Sequence, residues 1–417
     1  MSNLQDSLSR ICLNWIRIVL TGGFLLITHA TVADIAAFNQ AIKQGDYKGA
    51  AKETTEIWST FDKKSKQTAI IAREFGFVNY VARDFDNAEM FAKFLVDKGA
   101  ELSVPDDQPA TSRVLLDLTR FSIKQGERER RRLADAIEKR LETEGVDQIS
   151  LLAAKTLYRG DWIGGQWPKV SESTALAVAL YQRAGKNFLK EQRDAEVIAA
   201  AAAFLGKPAF KDYDQMVSVH NQIVQDINES SDAKIASELL GSKWTAQAWV
   251  NTMEAFFQSS HSQLGTLIDS SLTYQDLTVL NDDVLAGDNS SESKPVCPGK
   301  VDVGKLSYPL LWAERRLVGS VIMNLSFDEQ GKVSNSEVLA EAPPNLFVDS
   351  VKEAIPTFSW EVNPGVNQSL CRLNQSNYVH VIGFWGNCAA TYTRGDCPRT
   401  ALESGSPSRS TADFSSQ

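Results

Sequence analysis

Cysteine and histidine are the residues here best suited to covalent, metal or proton chemistry, so their spacing is the first thing to weigh. The 417-residue chain holds five cysteines and four histidines. Cys12 stands near the start, whereas Cys297, Cys371, Cys388 and Cys397 all fall in the last third. No two form a Cys-x-x-Cys pair and no histidine cluster lies beside them, so the pattern disfavours zinc and favours disulfides. Four cysteines allow three connectivities. Cys388 and Cys397 close a short loop. Cys371 and Cys388 flank the run Tyr378–Trp385, which reads as a strand, and a rise of about 3.3 Å per residue would hold its ends apart. The favoured pairs are therefore Cys297–Cys371 and Cys388–Cys397. His29, His220, His261 and His380 are far apart in sequence, and His380 is expected to be a structural residue of its strand rather than a base. No nucleophile elbow, Walker-type loop, His-Glu-x-x-His or dinucleotide fingerprint occurs,. Gly164-Gly165 lacks a phosphate-binding context, and Asp282-Asp283 lies in linker-like sequence. The expectation is no catalytic residue, no metal and no cofactor. An enzyme whose site is assembled from distant residues stays as an alternative.

Charge narrows the partners. The formal net charge is −9, which argues against nucleic acid, because phosphate recognition needs a basic surface. The run Glu127–Arg132 (ERERRR) is expected to be a solvated face of a mixed-charge helix. At the start, Arg10 and Arg17 precede the apolar run Ile18–Ile27, followed by Thr31-Val32-Ala33. That reads as a secretory signal cleaved before Asp34. The apolar run is shorter than the ~20 residues that span a bilayer. A retained anchor over residues 1–33 is the alternative, and would be the chain's only contact with a membrane. Either reading exports the bulk of the chain, which agrees with disulfide use.

Helices must carry most of the chain. Residues 34–263 read as helical throughout. Gly45-Asp46-Tyr47 with Ala50, and Arg83-Asp84-Phe85 with Ala88, form two comparable units. They resemble tetratricopeptide repeats, in which an aromatic and an alanine three residues later open the second helix of a pair. The interval from Tyr47 to Phe85 is 38 residues, longer than the family's ~34, and the consensus Trp, Leu and terminal Pro are missing. The resemblance implies stacked helix pairs, an α-solenoid with a concave face. Gly160-Asp161-Trp162 with Gly164-Gly165 is expected to be a loop. Residues 264–300 are polar and linker-like, and residues 391–417 form a tail expected to be partly disordered, over its Ser-rich end Gly405–Gln417.

The segment between these, residues 301–390, is expected to be a small α+β domain. Val321, Met323, Leu325 and Phe327 alternate with Ile322, Asn324 and Ser326, a period of two that reads as a strand with one buried face. Asp328–Gly331 supplies a turn, with Gly331 at positive φ. A second strand follows to Ala340. Val333 falls out of phase with Ser336, Val338 and Ala340, which predicts a bulge. Pro343-Pro344 ends that strand, and Asn345 is the expected cap of a helix whose stripe is Phe347, Val351, Ala354, Ile355 and Phe358. Pro356 should disturb its last turn. Tyr378–Trp385 makes the third strand, apolar on both faces.

This ββαβ order resembles the C-terminal domain of the TonB family of bacterial energy transducers. The matching features are Tyr308-Pro309, Gly319 with Val321, the hairpin Phe327–Val333, Leu346-Phe347 with Ala354, and the exit Trp360–Pro364. They cover about a fifth of the chain. Gln330 stands where the family has Asp, and the long Pro-rich periplasmic segment is missing. The Ser and His one helical turn apart in the family's membrane segment also have no match. The resemblance implies a non-enzymatic bacterial cell-envelope protein, periplasmic or anchored in the inner membrane. It also implies an exposed third strand that pairs with an envelope partner, an outer-membrane transporter in the family's TonB-dependent transport. That edge would comprise Tyr378, Val379, His380, Val381, Ile382, Gly383, Phe384 and Trp385. A periplasmic scaffold working through its helices is the other binding reading.

Overall fold

A computed structural model of the chain describes residues 29–99, 101–102, 107–143, 146–260, 294–304, 306 and 319–384. These contain twelve α-helices, eleven of them before the first strand, and a small antiparallel sheet region near the C-terminus. The chain divides into two compact units between Ala202 and Ala203.

The first unit is built of consecutive helices: α1 (His29–Lys43), α2 (Tyr47–Ser59), α3 (Lys66–Ala82), α4 (Phe85–Lys98), α5 (Asp107–Ile123), α6 (Glu127–Glu142), α7 (Gln148–Ile163), α8 (Trp167–Ala184) and the first part of α9 (Leu189–Gly206). Successive helices from α1 to α8 pack as neighbours, and α5 also touches α7 and α6 touches α8. The local chemistry repeats. Asp46 and Asp84 cap α2 and α4 by accepting from the backbone N–H of Gly49 and Asn87, filling donors that a helix start leaves open. Tyr47 and Phe85 open those helices, and Ala50 and Ala88 beneath them are fully buried. Gly76 permits close packing, since a Cβ there would stand 2.8 Å from Leu115.

The pattern continues where sequence reading loses it. Helix α6 opens on Glu127, and Arg130 takes the place of the buried alanine. Arg130 is only 7% exposed. Its Nε and Nη2 donate to Asp161 at 2.8 and 3.0 Å, and Nη2 donates to the Lys169 carbonyl at 3.2 Å. The expected solvated face is thus corrected at Arg130, although Arg128 and Arg131 are exposed. Arg140, also buried, donates to Asp147 at 2.9 Å. The expected loop at Gly160–Trp162 is helix instead. Gly160 lies against Phe121, where a Cβ would stand 2.9 Å from the ring, and Asp161 turns inward to Arg130. The turn itself is 164–166, with Gly165 at φ 64°.

The second unit holds the rest of α9, α10 (Phe210–Glu229), α11 (Ala233–Ser260), β1 (Gly299–Asp302), β2 (Gly319–Phe327), β3 (Val333–Ala342), α12 (Val348–Ala354), β4 (Ser359–Val362) and β5 (Gln375–Phe384). Strands β3, β2 and β5 form one antiparallel sheet in that order, and β1 pairs with β4. On one face Val321, Met323, Leu325 and Phe327 pack with Phe347, Val351, Ala354 and Phe358. The other face is covered near Ser320 and Ile322, both fully buried. There α11 packs on β2 and β3. Ser320 Oγ donates to the Ala248 carbonyl at 2.7 Å, and Thr252 Oγ1 donates to the Ala342 carbonyl at 3.0 Å. The one-face reading of β2 is therefore corrected at this end.

Hairpin details follow the side chains. Gly331 has φ 70°, and Asp328 Oδ1 accepts from the N–H groups of Gln330 and Lys332 at 2.9 and 2.8 Å. Register shifts on β3 let Phe327 pair with Val333 after Ser326 pairs with Asn335, so a bulge restores Val333 to phase. Asn345 is not the helix cap. It has φ 64°, and the Glu341 carboxylate accepts from the N–H groups of Leu346 and Val348 at 2.8 and 2.9 Å, and from Asn345 and Phe347. Pro356 converts the end of α12 into a 3-10 turn, Ile355–Thr357.

Candidate docking edge and its surroundings

β5 is an outer strand of the described sheet: its ladder runs to β2 alone, pairing Tyr378 with Leu325, Val379 with Asn324, His380 with Met323, Val381 with Ile322, Ile382 with Val321, Gly383 with Ser320 and Phe384 with Gly319. Cross-strand partners share a face, so Tyr378, His380, Ile382 and Phe384 lie on the α12 side. Val379, Val381 and Gly383 lie on the other. This is why the strand reads as apolar on both faces: α12 belongs to the core on one side, and α11 touches β5 as well as β2 and β3.

Aromatic packing fixes the strand. The Tyr378 ring lies 5.1 Å from Trp360 and 6.2 Å from Phe327, and Phe384 stacks on Phe347 at 4.5 Å. Near the strand's start, Leu325 and Phe327 pair with Tyr378 and Gln375, which leaves an extra residue on β5. Asn377 there has φ 57°. Trp385 lies outside the described residues, as do Tyr308-Pro309.

Cys297 and Cys371 are joined in a disulfide. Around it, the Cys297 N–H donates to the Arg372 carbonyl at 2.8 Å, and Arg372 N–H donates to the Pro295 carbonyl at 2.9 Å. Trp360 Nε1 donates to the Cys297 carbonyl at 2.9 Å. Residues 294–302 are thereby tied to the segment leading into β5. Cys388 and Cys397 lie outside the described residues.

This unit also holds titratable groups shifted by burial. His380 is buried and its Nε2 has no hydrogen-bond partner among the described residues. Burial pushes its pKa down from 6.5 to about 4. His220 on α10 is likewise lowered to about 4, mainly by burial. Lys243 on α11 is buried, with Nζ 4.5 Å from the Trp244 ring centroid, and burial lowers its pKa to about 8. A histidine held neutral costs nothing above its unfolded pKa. The unfolded chain gains the extra proton as the pH falls from 6.5 towards 4, and stability is lost over that window,. For His380 the full loss is about 3 kcal/mol. Urea unfolding at pH 7 and near pH 4 should show the loss in the wild type and a smaller one in His380→Leu. An equal loss in both would remove His380 as a cause.

Among the described residues, no group of His, Cys, Asp or Glu is placed to hold a metal, and no helix is long and apolar enough to cross a membrane. What the geometry offers is a strand edge on a sheet layered between helices, with a row of main-chain donors and acceptors. The signal for the second layer was the two-sided apolar character of β5; nothing in the sequence of α11 pointed to the sheet. No family model, curated protein or solved structure matches the chain.

Proposed function

We propose that this chain is a non-enzymatic cell-envelope protein whose C-terminal α+β part is of TonB type and binds an extended segment of an envelope partner along β5. The observation that carries this reading is the position of β5 as an outer strand in the order β3-β2-β5. Unpaired main-chain groups of an outer strand give affinity, and alternate side chains give register. The order of the three sheet strands and the helix, β2, β3, α12 and β5, supports the resemblance, as does the hairpin turn at Asp328–Gly331; the short β1 and β4, which pair with each other, are additional to it. An outer-membrane transporter is the partner this reading favours, through an N-terminal segment that faces the periplasm.

The test leaves the protein unaltered. A synthetic transporter N-terminal segment should bind the full chain and crosslink to β5. Because N–H groups alternate sides along a strand, N-methylation of every second amide should weaken binding at least about tenfold. Methylation of the intervening amides should have little effect. Equal sensitivity of both sets, or no binding, would reject strand addition. In the scaffold reading, partners are lost instead when the helix openings around Tyr47 and Phe85 are altered.

A further inference from the structure

Two neighbouring turns of the helical unit present apolar tips to solvent. Ile123, the last residue of α5, is 52% exposed, and Ile163, the last residue of α7, is 83% exposed. The turns are side by side. Lys169 at the start of α8 is ion-paired with Glu127 at the start of α6. Arg130 is bonded to Asp161 and to the Lys169 carbonyl. Phe121 lies against Gly160. Trp162 and Trp167, on either side of Ile163 in sequence, meet edge-on with ring centroids 5.3 Å apart. Glu127 is taken up by Lys169 and Arg131, and Glu172 by Arg130, while Lys124 and Arg128 on the same turn are exposed and Glu129 between Arg128 and Arg130 is half-buried.

We propose that these paired turns, α5–α6 and α7–α8, dock the helical unit on an anionic lipid surface. The chemistry is layered as an interface requires. Isoleucine tips enter the acyl boundary, indoles suit the headgroup level, and Lys124 and Arg128 meet the phosphates. The apolar groups stand exposed at helix ends, so they fit a fluid layer better than a partner's side chain. The buried Arg130–Asp161 pair braces both turns from beneath. This contact is separate from residues 1–33 and does not depend on the β5 reading.

The test uses the full chain with vesicles of phosphatidylglycerol and phosphatidylcholine, and reads hydrogen exchange of the segments 121–128 and 160–168. Phosphatidylglycerol vesicles should protect both segments. The Ile123→Ser/Ile163→Ser variant should lose that protection and partition about tenfold less or weaker still. Vesicles of phosphatidylcholine alone should protect less. If the wild type binds vesicles without protection of either turn, or the variant binds equally well, the N-terminal segment or another surface is responsible and the proposal falls. Equal protection by neutral vesicles would overturn the anionic assignment.

Discussion

Replacing Cys297 and Cys371 together by alanine is expected to destabilise the sheet unit by about 4 kcal/mol in the chain-entropy picture. The bond joins residues 74 apart in sequence, so its loss frees a long loop in the unfolded chain. The folded side adds to the effect. The backbone bonds between Cys297 and Arg372, and between Arg372 and Pro295, hold the entry to β1 against the entry to β5. Trp360, which packs on Tyr378, donates to the Cys297 carbonyl. Loosening this corner should therefore loosen the start of the outer strand as well. Urea unfolding of the oxidised wild type and of Cys297→Ala/Cys371→Ala measures the first effect, and amide exchange over residues 375–380 the second. A difference below about 1 kcal/mol would mean that the hydrogen bonds alone hold the corner, since a native disulfide commonly contributes about 2–5 kcal/mol.

Arg130→Met should cost the helical unit about 3–5 kcal/mol, because it strands a buried carboxylate. Asp161 is 3% exposed, and both of its oxygens accept from Arg130. The double variant Arg130→Met/Asp161→Leu should recover most of the loss, since a well-packed apolar pair avoids the desolvation that the ions suffer. Lys169→Met offers the contrast. Its partner Glu127 is substantially exposed, and surface pairs contribute about 0–1 kcal/mol. Thermal or urea denaturation of the four proteins separates these cases. If Arg130→Met is no worse than Lys169→Met, the pair is not the brace described above.

The sequence made the alternation of β2, the turn at Gly331 and the displaced phase of Val333 readable because each depends on neighbours within a few residues. The helix openings at Tyr47 and Phe85 were readable for the same reason. The repetition faded at Glu127 and Arg130, where an ion pair to Asp161 replaces a buried alanine, a substitution that makes sense only with the partner in view. Asn345 has the composition of a cap, yet the acceptor is Glu341, which reaches forward across a turn from the end of β3. Of the strand named as a binding edge, Tyr378–Phe384 forms the greater part of an outer strand. The cover over its second face was hidden, because α11 meets the sheet through contacts 68 to 90 residues away in sequence.

That separation has a consequence during synthesis. Helix α11 leaves the ribosome well before β2 and β3 exist, with Ala248 and Thr252 facing water where the sheet will later sit. Contacts closed over so long a span are slow to form, and apolar surface awaiting its partner invites aggregation. The nascent chain therefore passes through an interval in which the last long helix is complete but unsheltered. The hydroxyls of Thr252 and Ser320, and not only the apolar side chains, fix where the late-arriving sheet must land.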